Sequence, residues 1–111
     1  MSDSSVPRAP KAFHAFSKRY PHLATGWDSL REAEAEGPLD LKTRRLLKLA
    51  VSIGVRSQGS THSATRKALA AGASPDEIYQ VVAVAASVVG MPNAVAAFTW
   101  LEDVMAEKEP S

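Results

Sequence analysis

The chain has 111 residues, 45% hydrophobic and 23% charged, which fits one folded domain rather than a disordered chain. Thirteen basic residues stand against twelve acidic ones, a formal net charge of +1, so no overall field draws the chain toward nucleic acid or anionic lipid. Cysteine is absent, which excludes disulfides, thiolate metal sites, iron–sulfur clusters and a cysteine nucleophile.

Residues 1–10, polar with two prolines, read as a flexible N-terminal tail without the apolar core of a signal peptide. A single domain is expected over residues 11–108. The first helix is expected over residues 11–20, with Phe13 and Phe16 on one face and Pro21 ending or kinking it. A second, over residues 22–36, carries Leu23, Trp27 and Leu30 as an apolar stripe and stops at Gly37-Pro38. A third follows Asp40 as N-cap and runs to about residue 55, with Leu46, Leu49, Ala50 and Ile53 as core face. Lys42, Arg44, Arg45 and Lys48 crowd its first half, and Glu32, Glu34 and Glu36 are their expected partners.

The fourth helix is expected over residues 60–71, with Ser60 as N-cap and Gly72 closing it. Ser74-Pro75-Asp76-Glu77 is a capping box with proline at the first helical position, and opens a fifth helix that Gly90 closes. The last helix is expected over residues 92–107, with Val95, Phe98, Leu101 and Met105 facing the core. No strict apolar alternation and no Asn-Gly or Asp-Gly turn suggests a sheet, so the fold class is all-α.

The fifth helix holds Val81, Val82, Ala83, Val84, Ala85, Ala86, Val88 and Val89 almost in succession. A surface helix has one polar face; this one needs cover on nearly every side, and a domain this small has little interior to offer. A homo-oligomer is therefore expected, with Trp100, off the predicted stripe of the last helix, as an interface anchor. The plainer alternative is a central helix in a monomer with Trp100 half-buried. The longest apolar stretch, residues 78–91, is interrupted by Tyr79, Gln80 and Ser87 and falls short of the ~20 apolar residues of a membrane helix. A cytoplasmic protein with no membrane partner is expected.

Residues 42–97 resemble the carboxymuconolactone decarboxylase family, which includes the alkylhydroperoxidase D-like proteins. The resemblance is carried by Lys42-Thr43-Arg44, by residues 46–51, by His62, by the run from Thr65 through Gly72 to Glu77-Ile78, and by Gly90-Met91-Pro92 with Ala94 and Ala97. It implies an alkylhydroperoxidase D-like helical bundle with a central helical hairpin, assembled as a trimer or hexamer. In peroxidase-type relatives a C-x-x-C pair supplies the thiols; those two positions hold Ser57 and Ser60 here. The accompanying histidine and glutamate positions hold Ala64 and Arg45. Serine has no accessible thiolate, so thiol-dependent peroxide reduction is excluded. Other relatives carry a glutamate and a histidine four apart; the matching positions are Gln58 and His62. The resemblance thus implies a decarboxylase or related lactone chemistry without thiols.

Gln58, His62 and Arg66 follow one another at four-residue spacing and form one stripe on a helix. His62 is the candidate catalytic acid or base. Arg66 is a candidate for holding a substrate carboxylate, and Gln58, Ser57 and Ser60 for binding substrate oxygens. The bland alternative makes Ser60 a helix cap and Arg66-Lys67 a solvated face. The resulting expectation is a small-molecule enzyme without a cofactor; the alternative is a catalytically silent homo-oligomer that binds a ligand or partner. His14, His22 and His62 lack metal-ligand spacing, so no metal is expected. No G-x-S-x-G elbow supports a serine nucleophile. A helix-turn-helix reading of residues 63–89 fails because its second helix offers bases mainly Tyr79 and Gln80, so no nucleic acid is expected. Met91 and Trp100 are read as lining either a pocket or plain packing.

Overall fold

The computed structural model describes residues 11–108, all of whose regular elements are α-helices. They are α1 (Lys11–Arg19), α2 (Pro21–Glu34), α3 (Leu41–Gly54), α4 (Gln58–Ala70), α5 (Pro75–Val89) and α6 (Met91–Lys108). The expected tail lies outside the described residues. The helices fall into two compact units, α1–α2 within residues 11–40 and α3–α6 within residues 41–108. None of them is long and apolar enough to cross a membrane.

In the first unit Pro21 opens α2 at its first turn, besides ending α1. The ring lacks an N–H that the helix start would leave unpaired in any case. Phe13 meets Trp27 edge-on, with ring centroids 6.4 Å apart. Neither helix buries a residue fully.

In the second unit α3 packs on α4 and α5, and α6 also packs on α4 and α5. The diagonal pairs, α3 with α6 and α4 with α5, meet least. The helices joined by Gly72 are therefore not a tightly packed hairpin; each packs mainly on α3 and α6. Lys42 Nζ, in the first turn of α3, lies 3.0 Å from Glu77 Oε2 in the first turn of α5, so these two helices run parallel. Glu77 is thus a partner of Lys42, which the sequence had assigned to the acidic end of α2.

The capping box forms as expected: Ser74 Oγ accepts from Glu77 N, and Ser74 N donates to Glu77 Oε1 at 2.8 Å. Gly72, at φ +98°, makes the left-handed turn after α4 that its sequence position suggested. The α4 N-cap, however, is Ser57 rather than Ser60: the Ser57 hydroxyl accepts from Ser60 N at 3.1 Å. Arg56, held at φ 60°, turns the chain sharply enough to set that cap.

The core comprises Leu49 and Ile53 of α3, Ala64 and Ala68 of α4, Ile78 and Val82 of α5, and Ala94, Ala97, Leu101 and Val104 of α6, with Ala73 from the α4–α5 turn. On α6 this corrects the expected stripe. Val95 and Phe98 are exposed and Met105 only half-buried, while the alanines face inward. Alanines on α4 and α6 let two backbones approach closely, so side-chain size and not apolarity alone selects the inner face. Trp100 is half-buried against the core, where its place off the expected stripe had suggested full exposure.

Candidate functional site

The Ser57 cap fixes the start of α4 and so the rotation of everything after it. Thr61, Ala64, Thr65 and Ala68 turn inward. Ala64, which occupies the histidine position of peroxidase-type relatives, is only 8% exposed, so its methyl group is a core atom. His62 and Arg66 lie outside this buried stripe.

Both meet α6. His62 Nε2 lies 3.0 Å from Asp103 Oδ2. One turn further, Arg66 Nε donates to Glu107 Oε1 at 2.9 Å and Arg66 Nη2 to Glu107 Oε2 at 2.7 Å. Residues four apart on α4 thus pair, in the same order, with residues four apart on α6, which requires parallel helices in register. The His62 side chain is 21% exposed and Asp103 is open to solvent.

Electrostatics tie the two rungs together. The bidentate hydrogen bonds from Arg66 hold the Glu107 carboxyl below its ordinary range, against partial desolvation, with further attraction from Arg66 and from His62. Glu107 in turn raises the pKa of Arg66, chiefly through the same hydrogen bonds. A carboxylate on Nε2 orients the imidazole and leaves Nδ1 as the ring position for proton exchange.

The remaining candidates are spread along α4. Gln58 and Ser60 are exposed in its first turn, and Ser57 is engaged as the cap. Cavities lie elsewhere among the described residues. One, of about 540 Å³, runs between α3 and α5; another, of about 400 Å³, lies between α1 and α2. Neither is lined by Ser57, Gln58, Ser60, His62 or Arg66, nor by Met91 or Trp100. His14 stacks edge-on to Phe13 and His22 lines the α1–α2 cavity. Among the described residues no group of three or more histidine, aspartate or glutamate side chains is placed to hold a metal ion.

Sequence reasoning missed Asp103 and Glu107. Their four-residue spacing, acid against the base of His62 and Arg66, was a usable signal, but only the packing of α6 on α4 shows that the two stripes meet. It also missed the Tyr79 hydroxyl donating to Glu102, a bond that raises the tyrosine pKa.

The sequence model of the carboxymuconolactone decarboxylase family matches residues 21–103. The fold is similar to the crystal structure of a ligand-free carboxymuconolactone decarboxylase family protein from Legionella pneumophila, with 25% identity, 88% of each chain covered and a TM-score of 0.79. No curated protein matches the sequence significantly. With a family match over most of its length and a related helical bundle, the chain belongs to the carboxymuconolactone decarboxylase family as a cysteine-free member with an alkylhydroperoxidase D-like fold.

Proposed function

We propose that the protein is an enzyme that moves a proton on a small carboxylated substrate, in a decarboxylation or related lactone reaction, with His62 as the proton carrier. The contact between His62 Nε2 and Asp103 carries this reading. A carboxylate on one ring nitrogen selects the tautomer, stabilises the imidazolium that forms, and leaves Nδ1 to act on substrate. Asp103 is then a positioning residue. Gln58, Ser57 and Ser60 lie toward the start of the same helix as donors to substrate oxygens. Glu107 engages Nε and Nη2 of Arg66, so the Nη1 donors are the ones proposed to take a substrate carboxylate. The family match supports the reaction class, and the absent cysteines restrict it to chemistry without thiols.

The working form is proposed to be a homo-oligomer, trimer or hexamer. The outward face of α5 supports this: Val84 and Val88 are 65% and 86% exposed, an apolar surface that water penalises by roughly 25 cal/mol per Å². A second reading, a silent scaffold that binds a ligand or partner, is favoured by one observation. Arg66 is already held by a carboxylate of its own chain.

Turnover of a panel of small carboxylated lactones and keto acids separates the two. Wild type is expected to act on at least one compound, His62→Ala to lose about 10²–10⁴-fold in rate, and Asp103→Asn to fall between them with an altered pH profile. Equal rates for wild type and His62→Ala remove His62 from the mechanism. No turnover of any compound by wild type leaves the silent scaffold.

A further inference from the structure

Arg66 is the cation put forward above to take a substrate carboxylate, and its fork already holds one. Nε donates to Glu107 Oε1 at 2.9 Å and Nη2 to Glu107 Oε2 at 2.7 Å. This parallel pair of bonds is the geometry in which a guanidinium receives a carboxylate from any source. The Glu107 carboxylate is also drawn by His62, one turn back along α4. The chain's own side chain thus marks the position of an anion gripped by Arg66 and attracted by His62. A free carboxylate that arrives while Glu107 is in place meets only the Nη1 donors, beside a negative charge.

We propose that Glu107 is an intramolecular competitor for the carboxylate site of Arg66: it closes the fork in the resting chain and leaves it when a carboxylate ligand takes its place. Two features make the exchange easy. The pair is open to water, with the Arg66 and Glu107 side chains 40% and 49% exposed. Breaking the contact therefore strands neither charge in an apolar interior, and exposed pairs are individually weak. Glu107 also lies in the last turn of α6, which ends at Lys108. The carbonyls of a last turn lack intrahelical partners, so local opening costs least there. Asp103 stands one turn deeper, beside the fully buried Val104, so release of the last turn leaves its contact with His62 in place.

Binding is then a displacement. The affinity for a free carboxylate is reduced by the fraction of chains in which Glu107 holds the fork. A ligand that displaces Glu107 exchanges a single bond to Nη1 for the bidentate grip. This role of Glu107 rests on the reading of Arg66 as the carboxylate-binding group and uses no chemistry at His62.

Nuclear magnetic resonance titration of the full chain with acetate at pH 7, followed at the Arg66 Nε–H and by hydrogen exchange of the amides of residues 105–107, tests it. In wild type the Arg66 signal is expected to shift, and residues 105–107 to lose protection, as acetate saturates. Glu107→Gln is expected to bind acetate about 3–10-fold more tightly, because the competing charge is gone. Glu107→Ala, which also removes the side-chain acceptor, is expected to gain at least as much. Glu102→Gln takes the same charge from α6 at its contact with Tyr79 and is expected to leave acetate affinity unchanged. Arg66→Ala/Glu107→Gln is expected to bind no acetate. Equal affinities in wild type and both Glu107 variants, no acetate binding by either Glu107 variant, or an equal gain in Glu102→Gln each overturns the competition. A gain in the Glu107 variants with equal turnover by wild type and His62→Ala keeps the competition and removes the catalytic role of His62. Turnover lost in His62→Ala with no gain in the Glu107 variants does the reverse.

Discussion

Thr61 and Thr65 sit one turn apart on α4, both fully buried, with opposite hydrogen-bond status. Thr65 Oγ1 donates to Thr61 O at 2.7 Å, whereas Thr61 Oγ1 has no partner. A buried hydroxyl without a partner costs about 1–3 kcal/mol in desolvation, and a satisfied one contributes about 1 kcal/mol. Thr61→Val is therefore expected to leave stability unchanged or raise it by about 1 kcal/mol. Thr65→Val is expected to lower it by about 1 kcal/mol. Urea unfolding midpoints at equal slope check both. The shared stripe of His62 and Arg66 was legible from spacing, because a four-residue interval is a property of any helix. The role of Ser57 as cap was not: Ser57 and Ser60 are equally good cap residues, and the left-handed Arg56 between α3 and Ser57 decides which one ends the turn.

Among the elements, α5 was the most legible, since its capping box and closing glycine are local in sequence. α6 was the least legible in orientation. Its large apolar residues advertised one stripe, and its small ones were taken into the core instead. Leu101 belongs to both and is fully buried beside Val104. Leu101→Ala is expected to cost about 2–5 kcal/mol, the usual range for an emptied core position. Val95→Ser, on the face once assigned to the core, is expected within about 0.5 kcal/mol of wild type in a chain measured as a monomer. Chemical denaturation of both variants checks the rotation of the helix. A large loss at Val95 in the monomer would contradict the observed face.

At the scale of the whole molecule, two carboxylates clasp helices that are distant in sequence: Glu77 joins α5 to α3, and Glu107 joins α6 to α4. The Glu77 carboxyl is held below its ordinary pKa by hydrogen bonds from the Ser74 backbone and Lys42, and Glu107 by Arg66. Each has a lower pKa folded than unfolded. Each therefore stabilises the fold fully above the ordinary carboxylate range, around pH 4.3, and loses that contribution as pH falls through the depressed folded value. Both pairs are well exposed, so the individual effects are small. Thermal melts of Glu77→Gln/Glu107→Gln against wild type are expected to show a shallower loss of Tm below about pH 4.5. Parallel curves there would mean that neither clasp is linked to folding.

Local chemistry in the chain was sufficient for the number of helices, most of their ends, the absence of thiol reactions and the residues on the outer stripe of α4. Those features depend on neighbours within four residues, and caps, prolines, glycines and spacing encode them directly. Which helices touch was not encoded that way. The placement of α4 beside α6 rather than α5, the inward turn of the alanines, and the meeting of His62 with Asp103 and of Arg66 with Glu107 all depend on groups 41 residues apart. They are set by the joint packing of four helices into one core, where the volume available at each contact, and not the apolarity of any one residue, selects the face that turns inward.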